Sequence, residues 1–151
     1  MYRYLLLATG AALAALPWFS TSATSHAAVA VTVEAAWIRE GPPVMTNFAG
    51  YMVLNNRGDR TEAISSARSA DFERIGFHRV STVDGVARMH PQSNIEIPPS
   101  GQTVLEPGGM HLMLLGSVRP LRAGDEVEIV FMLESGKELS VTFPVRTEAP
   151  R

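Results

Sequence analysis

The chain contains no cysteine. That excludes disulfides, thiolate catalysis, a Cys-based zinc or iron–sulfur site, and a Cys-linked lipid. Lysine is almost absent as well: Lys137 stands alone, and twelve of the thirteen basic residues are Arg. Neither sign of charge dominates. Thirteen Lys+Arg oppose fifteen Asp+Glu for a net charge of −2, so neither nucleic acid nor an anionic lipid surface is an expected partner. Also missing is any helical period sustained beyond two turns, which argues against a bundle. What remains is a globular composition, 46% hydrophobic and 19% charged over 151 residues, enough for one ordinary domain.

The beginning of the chain has its own pattern. Arg3 precedes an Ala/Leu-rich run from Leu5 to Leu16, and a small polar stretch, Ser20 to Ser25, leads into Ala27, Ala28, Val29 and Ala30. This is the three-part arrangement of a secretory signal peptide. The apolar run is shorter than the ~20 residues that cross a bilayer. Cleavage near Ala28 is therefore expected, with residues 1–28 as signal peptide, 29–151 as one exported domain, and no membrane insertion afterwards. The pair of arginines that directs folded export is absent, so the chain is expected to cross unfolded. Cleavage removes Arg3 alone among the charges, leaving net −3. An exported domain of this size without disulfides must be held by packing.

Beyond the leader the pattern is strand-like almost throughout. Apolar and polar residues alternate over Val29–Val33, and strand-like runs follow at Phe48–Leu54, Thr61–Ala67, Phe72–Val80, Val86–His90, Thr103–Leu105, His111–Leu115, Glu126–Leu133 and Leu139–Val145, where Leu139, Val141, Phe143 and Val145 share one face. Turn residues separate them at Gly41–Pro42–Pro43, Asn55 to Gly58, Asp84–Gly85, Pro107–Gly108–Gly109, Ala123–Gly124–Asp125 and Ser135–Gly136. Several short strands with frequent turns predict an all-β fold, an antiparallel sandwich or small barrel.

Histidine and methionine carry the remaining chemistry. Asp84–Gly85 is a strong two-residue hairpin signal, and a symmetric loop there sets Val80 opposite Met89. His78 then lies diagonal to Met89 on the same face, within roughly 7–8 Å at the backbone. The same register puts His90 opposite Arg79 on the other face, away from this pair. In Met110–His111–Leu112–Met113–Leu114–Leu115, alternation projects His111 and Met113 from one face while Leu112 and Leu114 fill the core. Gly108–Gly109 before it permits a sharp turn. If the two His/Met pairs end at one solvent-near rim, four ligands meet. Zinc avoids thioether, and calcium and magnesium want oxygen; thioether with imidazole suits Cu(I). Against this stands an ordinary reading, because an H-x-M recurs by chance and methionine is a common filler of cores. Met45, Met52 and Met132 are expected in the core, with Trp37 and Tyr51; Met110 is expected in the core or at the rim.

The spacing His78-x10-Met89-x21-His111-x-Met113 resembles the signature of the PCu(A)C family of periplasmic copper chaperones. Family-like stretches surround it: Ala36–Trp37–Ile38–Arg39 with Pro42–Pro43, Ala49–Gly50–Tyr51–Met52, Arg74 to His78, Asp84–Gly85–Val86, Ile95 to Pro98, and Pro107 to Leu114. The likeness runs from about Val31 to Val145. It implies a cupredoxin-like antiparallel β-sandwich (a Greek-key barrel) binding one Cu(I) per chain through His78, Met89, His111 and Met113. It further implies a monomeric periplasmic carrier that is not an enzyme. Its partner would be a copper-accepting protein, cytochrome c oxidase subunit II with its binuclear copper site, or a Sco-type assembly protein. Some members add a His/Met-rich tail for a second copper; Arg146 to Arg151 here has neither residue, so one site is expected.

Two other classes compete. A hydrolase needs a nucleophile with a neighbouring base; Ser81 and Ser93 lie near histidines, yet no nucleophile-elbow or Ser-x-x-Lys pattern is present. A blue-copper electron carrier needs a cysteine thiolate. A metal-free exported β-sandwich serving as a binding or adhesion module would leave the four His/Met residues unrelated.

Overall fold

The computed structural model describes residues 30–150; the leader expected over residues 1–28 lies outside them. Ten strands follow one another: β1 (Val31–Arg39), β2 (Phe48–Asn56), β3 (Glu62–Arg68), β4 (Phe72–Val83), β5 (Val86–Gln92), β6 (Ile95–Ile97), β7 (Gln102–Leu105), β8 (Met110–Ser117), β9 (Glu126–Leu133) and β10 (Glu138–Arg146). Among the described residues no helix is long and apolar enough to cross a membrane. Hydrogen bonding links the strands in the order β5-β4-β8-β2-β1-β10-β9-β3-β6, with β7 also paired to β2. Pairing is antiparallel except between β1 and β10, where Ile38 stands beside Val145. The all-β antiparallel sandwich expected from the strand pattern is the observed architecture.

Alternation builds the core. Ile38, Met52, Leu54, Leu112 and Leu114 point inward from β1, β2 and β8, and meet Ile64, Ile129, Phe131, Leu133 and Phe143 from β3, β9 and β10. Register keeps like with like: Leu139 lies opposite Phe131, Val141 opposite Ile129, and Phe143 opposite Val127. The rings of Phe131 and Phe143 stand 6.0 Å apart, centroid to centroid. Each such side chain contributes about 1.5–3 kcal/mol on burial, which is how a disulfide-free domain of this size is held. At the far end of β2, Asn56 is buried and pins the connections around it. Its Nδ2 donates to the carbonyls of Arg60 (2.7 Å) and Ile97 (3.2 Å), while Oδ1 accepts from the Gly58 amide (2.9 Å).

Two local irregularities position the site. At the β4–β5 hairpin, Asp84 and Gly85 both adopt left-handed backbone angles, φ 53° and 77°, the turn whose twist matches its strands. The expected register results, with Val80 opposite Met89 and Arg79 opposite His90. In β1 the pairing with β2 slips by one residue between Glu34 and Trp37, at Ala35 with φ 49°. This bulge sends Ile38 into the core and turns Trp37 to the outer face. Trp37 and Tyr51, expected in the core, are buried but stand outside the central cluster.

The methionines divide. Met52 and Met110 are buried in the core, as expected. Met132 is only half-buried. Met45 is 44% exposed, contrary to expectation, because it sits in the β1–β2 connection, where its amide closes a turn onto the Pro42 carbonyl. Strand β6 was not anticipated: three residues ahead of Pro98 carry little periodicity, yet Ile95 and Ile97 are fully buried beside β3.

Candidate metal centre

On β8, Leu112 and Leu114 are fully buried in the core, which projects His111 and Met113 from the outer face. On β4, Ile75 and Phe77 pack inward, so Gly76 and His78 share that outer face. The β4–β8 register then sets His78 directly opposite His111, and Gly76 opposite Met113. Met89 enters from β5 beside Val80, one step diagonal to His78. The four residues therefore converge on three adjacent strands. All four share one face of the sheet: β5 is its edge strand, and His111 is the second residue of β8. His90 is on the opposite face, 3.1 Å from Ser81 Oγ.

The imidazole rings of His78 and His111 are 6.0 Å apart between centroids and inclined at 60°. With metal–nitrogen bonds of about 2.0–2.1 Å and roughly 1.2 Å from nitrogen to centroid, two rings on one ion stand at most about 6.6 Å apart, so the observed separation is within the reach of a single ion. His111 Nδ1 lies 3.3 Å from the Gly109 carbonyl; in the tautomer where Nδ1–H donates to that carbonyl, the Nε2 lone pair is free. His78 Nδ1 is buried without a hydrogen-bond partner. Burial, then His111, then the Arg74 charge push the His78 pKa below the ordinary imidazole value. That ring accordingly stays neutral, the form that donates to a metal.

Aromatic side chains back the site on one flank. Trp37 pairs with Tyr51 across β1 and β2, their rings 4.9 Å apart, and the Arg39 guanidinium lies 5.9 Å from the Trp37 ring centroid. Because Gly50 pairs with Leu112, Tyr51 comes level with His111, which is only 5% exposed. Burial raises the Tyr51 hydroxyl pKa, with the Arg39 charge opposing. On the other flank the site opens. Met89 is 50% exposed, and a shallow depression of about 270 Å³ is lined by Arg74, Gly76, His78, Pro91 and Met113 among others. The sequence alone does not mark Gly76 or Tyr51 as neighbours of the site. A glycine inside a strand is the signal available for the first; nothing local marks the second.

Among the described residues no group of three or more His, Cys, Asp or Glu side chains is placed to hold a metal ion. Two imidazoles with thioether sulfurs on the same face are instead a soft, neutral donor set, of the kind that suits Cu(I).

The β-sandwich is that of the PCuAC domains. The copper-bound PCuAC domain from PmoF2 superposes with a TM-score of 0.66 at 26% identity, over 80% of this chain and 94% of that one. Apo DR1885 from Deinococcus radiodurans gives 0.62 at 28% identity, over 98% and 97%. Its Cu(I) form gives 0.61 at 26%, over 85% and 86%. The family model described as "Putative lipoprotein LpqE-like" matches residues 31–145, and the chain belongs to this LpqE-like family. A relative, "Putative lipoprotein Lxx21020" of Leifsonia xyli subsp. xyli (strain CTCB07), is 31% identical over 117 residues, 77% of this chain and 69% of that protein.

Proposed function

We propose that this chain is a copper chaperone of the periplasm, exported by a signal peptide over residues 1–28, and that its cargo is a single Cu(I). His78 and His111 supply nitrogen, and Met89 and Met113 supply sulfur. The observation that carries this reading is the direct cross-strand pairing of His78 with His111, with Met113 and Met89 on the same outer face. The PCuAC domains whose fold it shares include a copper-bound and a Cu(I)-bound form, which supports the same conclusion.

All four ligands are neutral, so the bound ion keeps its single positive charge, and no thiolate holds it. That suits a carrier that must release what it binds. Release follows the exposure gradient: an incoming ligand displaces the exposed thioether of Met89 first, the half-buried Met113 and His78 next, and the covered His111 last. Each step exchanges one donor for another and leaves the copper oxidation state unchanged. No group here needs to activate a nucleophile, so the protein is a carrier and not an enzyme. It acts as a monomer and passes copper to the binuclear copper site of cytochrome c oxidase, through subunit II directly or a Sco-type assembly protein.

Double replacement, His111→Ala with Met113→Leu, tests the reading. A copper carrier loses competitive Cu(I) binding and copper transfer to a purified subunit II domain. If the double variant binds and transfers as before, the site is misassigned. If neither protein binds copper, the metal-free binding module takes its place.

A further inference from the structure

Gly76 is the one position on the site face of β4 where a side chain is missing, two residues before His78 and directly opposite Met113. An ideal Cβ built there lies 3.4 Å from His78 Nε2 and 3.7 Å from Cδ2, with no other atom nearer than 4 Å. In the ion-free protein that is ordinary van der Waals contact. The backbone at Gly76 is also free of any left-handed angle, so nothing in the fold itself asks for glycine. A strand interior normally favours a residue with a side chain. The glycine is therefore unexplained by packing or by conformation.

The two edges of the His78 ring differ. Nδ1 is sealed from solvent, whereas Gly76 leaves the Nε2 edge open toward the depression that also includes Met113. We propose that Gly76 is a positioning residue for the cargo: its missing side chain is the space an ion occupies when His78 binds it through Nε2, with Met113 reaching in from the facing strand. The proposal rests on the Cu(I) reading above and adds the donor atom and the entry side. The two contact distances put the added carbon well forward of the ring edge, and Cε1 lies beyond 4 Å of it. An ion about 2 Å out along the Nε2 lone pair would then be no farther from that carbon than Nε2 is. A methyl at position 76 thus fits the empty site and, in the filled one, takes up space directly beside the ion, on the side from which Met113 reaches in.

The test is Gly76→Ala, with Gly76→Val as the larger probe, in the mature protein. Thermal unfolding and the amide NMR spectrum of the ion-free protein report whether the fold is intact. Anaerobic competition against a chromophoric chelator reports Cu(I) affinity, and imidazole 15N shifts report which nitrogen of His78 responds to Cu(I). The expected result is an unchanged or raised melting temperature and Cu(I) affinity lowered about tenfold or more for Ala, further for Val. The His78 Nε2 resonance should move in the wild type. If the wild type binds Cu(I) and Gly76→Ala binds it equally well, or if Nδ1 is the nitrogen that moves, the role of Gly76 is refuted while the copper reading stands. If the wild type binds no Cu(I), both fall together. Should Ala disturb the fold, the wild-type nitrogen assignment still decides the donor, and a shift at Nδ1 overturns the proposal.

Discussion

Adjacent residues of β8 should fail in opposite ways. Leu112 is completely buried, so Leu112→Ala deletes three carbons from the core and leaves a cavity; such changes cost about 2–5 kcal/mol. Met113, one residue later, is half-buried on the outer face opposite Gly76 and Ala49. Met113→Leu nearly conserves volume, so its cost to the fold is below about 1.5 kcal/mol. What it removes is one sulfur of the donor set, and Cu(I) affinity should drop at least about tenfold, the usual scale even for groups behind the ligands. Urea unfolding of the ion-free variants measures the first quantity, and anaerobic chelator competition measures the second. Against a total stability on the order of 5–15 kcal/mol, Leu112→Ala should shift the unfolding midpoint plainly and Met113→Leu hardly at all. Equal destabilisation by the two, or full Cu(I) affinity in Met113→Leu, would refute the division of β8 into a core face and a ligand face.

The pH dependence follows from His78. Its native pKa lies below 6.5, chiefly through burial and then through His111 and Arg74, so the unfolded chain takes up a proton first. The stability contributed by the neutral ring is present above about pH 6.5 and declines as the pH falls through the native pKa. Chemical unfolding of the ion-free protein between pH 7 and 5 should show this, and His78→Gln should flatten the decline; an unchanged slope would contradict it. Asn56→Ala leaves two carbonyls and an amide without their side-chain partner. It should cost about 2 kcal/mol in urea unfolding and leave Cu(I) affinity unchanged, because the site lies elsewhere on the sheet.

The candidate residues were legible wherever the information was local. Asp84–Gly85 specifies a turn type, the turn specifies the register, and the register placed Met89 and separated His90. Alternation within β8 distinguished His111 and Met113 from Leu112 and Leu114. Where the pairing is long-range, no local signal existed. Nothing near residue 78 announces that His111 will stand directly across from it, because β4 and β8 are joined by three intervening strands. That the two imidazoles face one another follows from that pairing alone. Ala35 hid the other surprise: a bulge without glycine leaves no mark in the sequence, yet it turns Trp37 from the core to the flank of the site. Met45 illustrates the limit of composition, since an apolar residue in a proline-rich connection closes a turn and faces water.

The proposed soft-metal site consists of four neutral side chains on β4, β5 and β8. An anaerobic Cu(I) titration of the mature domain against a competing chelator, with zinc as control, tests whether they act as one. One tightly bound equivalent of Cu(I) with negligible zinc binding is the predicted result. Absence of competitive Cu(I) binding, or equal affinity for zinc, would contradict it.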